Sequence, residues 1–134
     1  WCAAFCCWLM RELLEEDDVR AYLASYFKKP SLSFAQAEKA RCRDASAFGW
    51  EKWARNSGFK LLDENQLARA GDFVVFDFSH IGMVIQDQKS LADKIRTVEG
   101  NTNGKGERDS ASGDGVWIKE RDRSLVKSYI RIFT

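Results

Sequence analysis

Residues Cys2-Ala3-Ala4-Phe5-Cys6-Cys7-Trp8-Leu9 run without a charged or strongly polar side chain. At 3.6 residues per turn such a run presents apolar surface on every side of a helix. A helix of that kind belongs in the middle of a domain, covered on several faces. The run therefore predicts a buried central helix over 1–16, with charge entering only at Arg11 and Glu12. The rest of the chain must supply the layers that cover it.

Those layers change character half-way. Downstream of the acidic run Glu15-Glu16-Asp17-Asp18, which reads as a solvated helix end, a second helix is predicted over about 18–28, ending before Pro30. A short helix is expected near 33–42. A further one is expected over 45–57, with Asp44 as its cap, Ala47, Trp50, Trp53 and Ala54 on one side and Gly58 as its stop. The region 58–70 reads as loop or mixed. From Gly71-Asp72 onward the pattern is that of strands: Phe73–Phe78, His80–Gln86, Arg96–Glu99, Val116–Lys119 and Ser128–Phe133, with a polar, glycine-bearing loop over 101–114. Helices first and strands second predict an α+β domain rather than alternating βαβ units. At 134 residues the chain is expected to be one domain, 1–134.

Composition excludes several functions. Lys+Arg 21 against Asp+Glu 20 gives a net charge of +1, with no long basic run. A surface that neutralises several phosphates is not expected, so nucleic acid is excluded as a partner at this stage. No apolar stretch is long enough to span a bilayer. The chain begins at Trp1 and shows no signal peptide, as a trimmed or excised chain would. Four cysteines, Cys2, Cys6, Cys7 and Cys42, are too few for a disulfide scaffold, and the adjacent pair is awkward for a mutual bridge. They lack the paired spacing of a zinc site, and the acidic run lacks the alternation of a calcium loop, so no metal and no cofactor is expected.

One constellation carries chemistry. His80 is the only histidine and stands where a buried strand turns into the next. Cys2 stands at a helix N-terminus, where the helix dipole and unpaired N–H groups favour the thiolate. An imidazole beside it takes the proton. Glu99, at the end of the third predicted strand, can accept from His80 Nδ1 and fix the ring. Asn101 can do the same, steady an oxyanion, or simply begin a turn. The plain alternatives are a core cysteine, a structural histidine and an edge-strand carboxylate.

Trp1-Cys2-Ala3-Ala4-Phe5, Gly71-Asp72-Phe73-Val74-Val75-Phe76, His80-Ile81-Gly82-Met83-Val84 and Thr97-Val98-Glu99-Gly100-Asn101-Thr102 resemble, in order and spacing, the CHAP family (cysteine, histidine-dependent amidohydrolase/peptidase), a papain-like group related to NlpC-type wall peptidases. Gly115-Val116-Trp117 and Tyr129-Ile130-Arg131-Ile132 resemble its last two strands. The resemblance implies a papain-like fold, with N-terminal helices packed on a central antiparallel sheet. It implies Cys2 as nucleophile, His80 as base, Glu99 as orienting acid and Asn101 as an accessory group. It implies a cysteine hydrolase, without cofactor, that cleaves a peptidoglycan amide as an amidase or endopeptidase, acting at the bacterial cell wall as a lysin, remodelling enzyme or antibacterial toxin. A monomer is expected. The chain departs from the family in lacking its helix before Trp-Cys and in a long, charged stretch over 17–43, which reads as an insertion. Two other readings are a papain-like enzyme acting on a non-wall amide and a non-catalytic module that binds wall or protein.

Overall fold

The computed structural model describes residues 2–102 and 115–133. Four helices come first: α1 (Cys2–Leu13), α2 (Asp17–Tyr26), α3 (Phe34–Ala40) and α4 (Ala47–Ser57). Six strands follow: β1 (Lys60–Leu62), β2 (Phe73–Phe76), β3 (His80–Val84), β4 (Ile95–Thr102), β5 (Gly115–Arg121) and β6 (Val126–Arg131). The strands form one antiparallel sheet in the order β1-β6-β2-β3-β4-β5. The α+β arrangement expected from the sequence is the one observed.

α1 lies in the first core cluster but is not buried on all sides, as the sequence had suggested. It sinks the stripe Ala3, Cys6 and Met10 against Trp50, Phe73, Val75, Ile81 and Ile130. Ala4 faces outward, and Trp8 is 54% exposed and stacked on Phe5. The sheet covers one side of the helix and α4 touches another, which leaves the remaining turn of apolar surface open. α2 and α3 fill the 17–43 stretch and contribute Leu23 and Ala37 to the same cluster. Glu15 to Asp18 are exposed, as expected.

Local chemistry explains the helix ends. Ser33 caps α3 through a reciprocal pair, its hydroxyl accepting from Gln36 N–H while the Gln36 side chain accepts from Ser33 N–H. The cap of α4 is Ser46, not Asp44: the Ser46 hydroxyl accepts from Gly49 N–H, and Asp44 sits one step further out, accepting from the Ser46 amide and hydroxyl. Gly58 closes α4 at φ +80°, a conformation that favours glycine.

The sheet divides the core in two. Phe73, Val75, Ile81 and Ile130 face the helices. Val74, Phe76, Val84, Ile95, Val126 and Tyr129 form a second cluster on the opposite face, the period-two alternation of a sheet buried on both sides. Three features differ from the sequence expectation. β1 lies within the region read as loop, because three residues are too few to show a period, and it exists by pairing Lys60–Leu62 with β6. β4 and β5 are longer than expected, pairing from Ile95↔Arg121 to Thr102↔Gly115. The polar loop expected over 101–114 lies, beyond Thr102, outside the described residues. No described helix is long and apolar enough to cross a membrane.

Candidate functional site

β2 ends at Phe76, and the turn after it is fastened by Asp77 N–H donating to Leu125 C=O. Ser79 takes a positive φ of 58°, uncommon for a non-glycine residue, and reverses the chain so that β3 begins at once with His80. The imidazole is 4% exposed. It stacks against Phe78, with centroids 5.7 Å apart and planes at 10°, and against Phe76 at 5.8 Å and 22°. These rings leave it little freedom except to present its two nitrogens.

Nε2 meets Glu99 Oε1 at 2.6 Å. The sequence expectation had assigned Nδ1 to that carboxylate. The stacked ring turns the other nitrogen, Nε2, to Glu99, and Cys2 stands beside the same imidazole as its second electrostatic partner. Cys2 arrives from the helix layer, and His80 packs on Phe76 of the second cluster. The two meet where β3 begins. The Ile81 N–H donates to the Cys2 sulfur, giving the thiolate a backbone partner in addition to the imidazole.

Glu99 is fully buried and its carboxylate is saturated. Oε2 accepts from Thr97 Oγ1 at 2.5 Å and from Arg121 Nε at 3.0 Å, and Oε1 accepts from Arg121 Nη2 at 2.6 Å in addition to the imidazole. Arg121 is itself 0% exposed, with its guanidinium 5.0 Å from the centre of Phe76 and 5.4 Å from that of Phe78. The same two rings therefore pack on and orient both the guanidinium and the imidazole. Gly82 makes room for this: a methyl group added there would lie 2.6 Å from Glu99 Cγ and 3.0 Å from the Val98 carbonyl oxygen.

The electrostatics follow from these contacts. Burial disfavours an ionised Glu99, yet the bonds from His80, Arg121 and Thr97 hold its carboxyl down at about 2. Burial disfavours the imidazolium, but the hydrogen bonds to Cys2 and Glu99 and their negative charges raise His80 above its ordinary value. Burial also disfavours the thiolate, and the bond and charge of His80 with the Ile81 N–H outweigh it, so Cys2 titrates below an ordinary thiol. An acid that falls beside a base that rises narrows the gap between thiol and imidazole, the direction that favours passing the proton from one to the other. The other thiols go the opposite way. Burial raises Cys6 and Cys7 and pushes Cys42 to about 11, as suits core fillers. All four cysteines are free.

The structure thus brings Cys2, His80 and Glu99 together. Asn101 lies on β4 two residues beyond Glu99, and its side chain is outside the described set. Sequence reasoning missed Arg121 and Thr97. A signal existed: a carboxylate buried at a strand end requires a cation, and Lys119 and Arg121 stand at alternating, same-face positions of β5. Among the described residues no group of three His, Cys, Asp or Glu side chains is arranged to hold a metal ion. Chemically the arrangement supplies a nucleophile, a proton carrier and a fixed orienting charge. It does not by itself choose the electrophile.

No protein-family model matches the chain. A curated protein of Aromatoleum aromaticum, tRNA pseudouridine synthase A, is 35% identical over 124 residues, which cover 87% of this chain and 45% of that protein. The chain thus spans less than half the length of the curated relative it matches.

This match overturns the CHAP identification and what was built on it: a cysteine hydrolase cutting peptidoglycan, the lysin or antibacterial setting, and action at the bacterial cell wall. The alternatives of another amide substrate or a non-catalytic binding module fit the relative no better. The physical reason is that the four motifs encode a helix-borne thiol, a turn that presents an imidazole and a strand-borne carboxylate. Such a geometry serves more than one reaction. The exclusion of nucleic acid falls too. A net charge of +1 is a sum over the chain and does not bound how charge is distributed. Lys89, Lys94 and Arg96 line one surface cleft, together with Asp87, Asp93 and Glu120.

Proposed function

We propose that this chain carries the reactive centre of a tRNA-modifying protein, with Cys2 as nucleophile toward a uridine base and His80 as the proton carrier beside it. The observation that carries the reading is the Cys2–His80–Glu99 array, with Nε2 of the buried imidazole 2.6 Å from Glu99 Oε1 and the Cys2 thiol beside the same ring. The substrate class comes from the name of the relative.

A thiolate adds readily to the electron-poor C6 of a uracil ring. The S–C6 bond forms, the C5=C6 electron pair moves toward C5 and O4, and the imidazolium is the proton source on that side. Expulsion of the thiolate reverses each movement. Addition makes C5 electron-rich; in the productive direction the N1–C1′ bond breaks, the freed C1′ is rejoined at C5, N1 takes up a proton and C5 gives one up, and expulsion of the thiolate restores C5=C6. Glu99 keeps the imidazole oriented and favours its cationic form. Asn101 is proposed as an accessory polar group. The fold offers no second nucleophile of this kind among the described thiols, since Cys6, Cys7 and Cys42 all titrate above the ordinary range.

The test is incubation with tRNA transcripts containing 5-fluorouridine, followed by denaturing electrophoresis. The parent is expected to form an RNA–protein adduct that Cys2→Ala abolishes and that His80→Ala reduces at least tenfold, the lower end of what a positioned acid–base group contributes being about a hundredfold. An adduct that persists in Cys2→Ala would overturn the assignment. So would the absence of any adduct from a folded parent whose Cys2 is still alkylated by iodoacetamide.

A further inference from the structure

The site holds a fourth charge that a thiol–imidazole–carboxylate set does not require. Arg121 enters from the edge strand β5, donates twice to Glu99 and is as completely buried as the carboxylate it binds. The arithmetic of a buried cluster explains why. Cys2 thiolate, His80 imidazolium and Glu99 carboxylate together carry one net negative charge. Concentrating that charge away from water is costly, and the cheapest relief is a proton on the thiolate. With Arg121 present the four groups sum to zero.

We propose that Arg121 is a positioning residue whose buried positive charge, delivered through Glu99, allows Cys2 to be ionised while Glu99 remains ionised. Three observations support it. The two-point contact to Glu99 fixes the carboxylate plane that meets His80 Nε2. Phe76 and Phe78 lie against both the guanidinium and the imidazole and hold them in place around Glu99 Oε1, which each meets at 2.6 Å. Thr97 and His80 fill one acceptor site on each Glu99 oxygen and Arg121 fills a second on each, so the guanidinium is the partner of Glu99 that stays charged at every working pH.

The titratable and charged groups around the pair are Cys6 on α1, Glu99 on β4, Lys119 and Arg121 on β5, and Asp77 in the exposed turn before β3. Lys119 lies opposite Thr97 and is kept unchanged in every variant compared.

The inference rests on the thiolate–imidazolium pair proposed above, but its test needs no RNA, so the two fail separately. The experiment is the pH dependence of Cys2 alkylation by iodoacetamide, read by mass spectrometry on the Cys2 peptide, with circular dichroism to confirm folding. Arg121→Gln is expected to move the midpoint up by about one unit or more, a roughly tenfold slower reaction below the parent midpoint, with the rate recovered at high pH. Arg121→Lys keeps the charge but loses the fork and the stacking, and is expected to shift the midpoint by clearly less than Arg121→Gln does. Glu99→Gln with Arg121→Gln removes one charge of each sign and is expected to return most of the shift. An unchanged midpoint in folded Arg121→Gln would overturn the proposal. A full-unit rise in Arg121→Lys, or a double variant shifted as far as the single one, would do the same, because packing and not charge would then be the cause. Should Arg121→Gln fail to fold, the Lys and double variants decide.

Discussion

At the scale of single residues, the site depends as much on a missing side chain as on those present. Glu99 is pinned at both carboxylate oxygens, so it cannot retreat if its stem is crowded. Gly82 is where crowding would come from, since a Cβ there meets Glu99 Cγ at 2.6 Å and the Val98 backbone at 3.0 Å. Gly82→Ala is therefore expected to cost about 1–3 kcal/mol, as overpacking of a dense interior does. Urea denaturation measures that loss, and the midpoint of Cys2 alkylation should rise with it, since a displaced Glu99 no longer supports the imidazolium. An alanine variant with parental stability would show that β3 and β4 can part at no cost. Gly82 was visible in the sequence only as part of a motif. Its purpose lies in the close approach to a residue seventeen positions away, which no local pattern reveals.

At the scale of elements, caps and pairings decide where each segment stops. Ser46 satisfies an orphan N–H of α4, and α4 carries Trp50 and Ala54 into the core. Ser46→Ala is expected to lower stability by about 1 kcal/mol, visible as a fall in the thermal midpoint with no change in the site. Asp44→Ala should cost less, because its carboxylate supports the cap rather than the helix. The sequence pointed to the correct turn but to the wrong capping residue, since both side chains are good acceptors and only the backbone geometry distinguishes them. The same limit applies to β5. Its exposed Val116, Trp117 and Ile118 and its charged Lys119-Glu120-Arg121 show no clean alternation, although the strand runs through all six. Two buried cations obscure the apolar–polar pattern on which strand recognition depends.

At the scale of the whole molecule, the charged site makes stability depend on pH. Glu99 titrates at about 2 in the folded chain against an ordinary carboxylate near 4.3. Its folded value is depressed, so its stabilising contribution is complete above about pH 4.3 and is lost as pH falls through the interval down to about 2. Acid titration followed by circular dichroism should show the parent losing stability through that window. Glu99→Gln should be less stable than the parent at neutral pH but should show a shallower acid limb. An equally steep acid limb in Glu99→Gln would assign the loss to other carboxylates.

The sequence by itself determined the class of the fold, because a helical period followed by strand-rich, turn-punctuated segments leaves few ways to bury apolar surface. It also pointed to Cys2, His80 and Glu99 as one set through their resemblance to a known order of motifs, and the fold places His80 against Glu99 with Cys2 beside it. Only the tertiary structure decided which imidazole nitrogen faces the acid, that Arg121 is the buried partner of Glu99, and that Trp8 stays outside. Each of these depends on contacts between segments remote in the chain, where packing and the avoidance of unpaired buried charge override local pattern. The electrophile lay beyond both, since a thiolate, a proton and an orienting charge serve many substrates. The class proposed for it rests on the name of a relative of which this chain covers 45%.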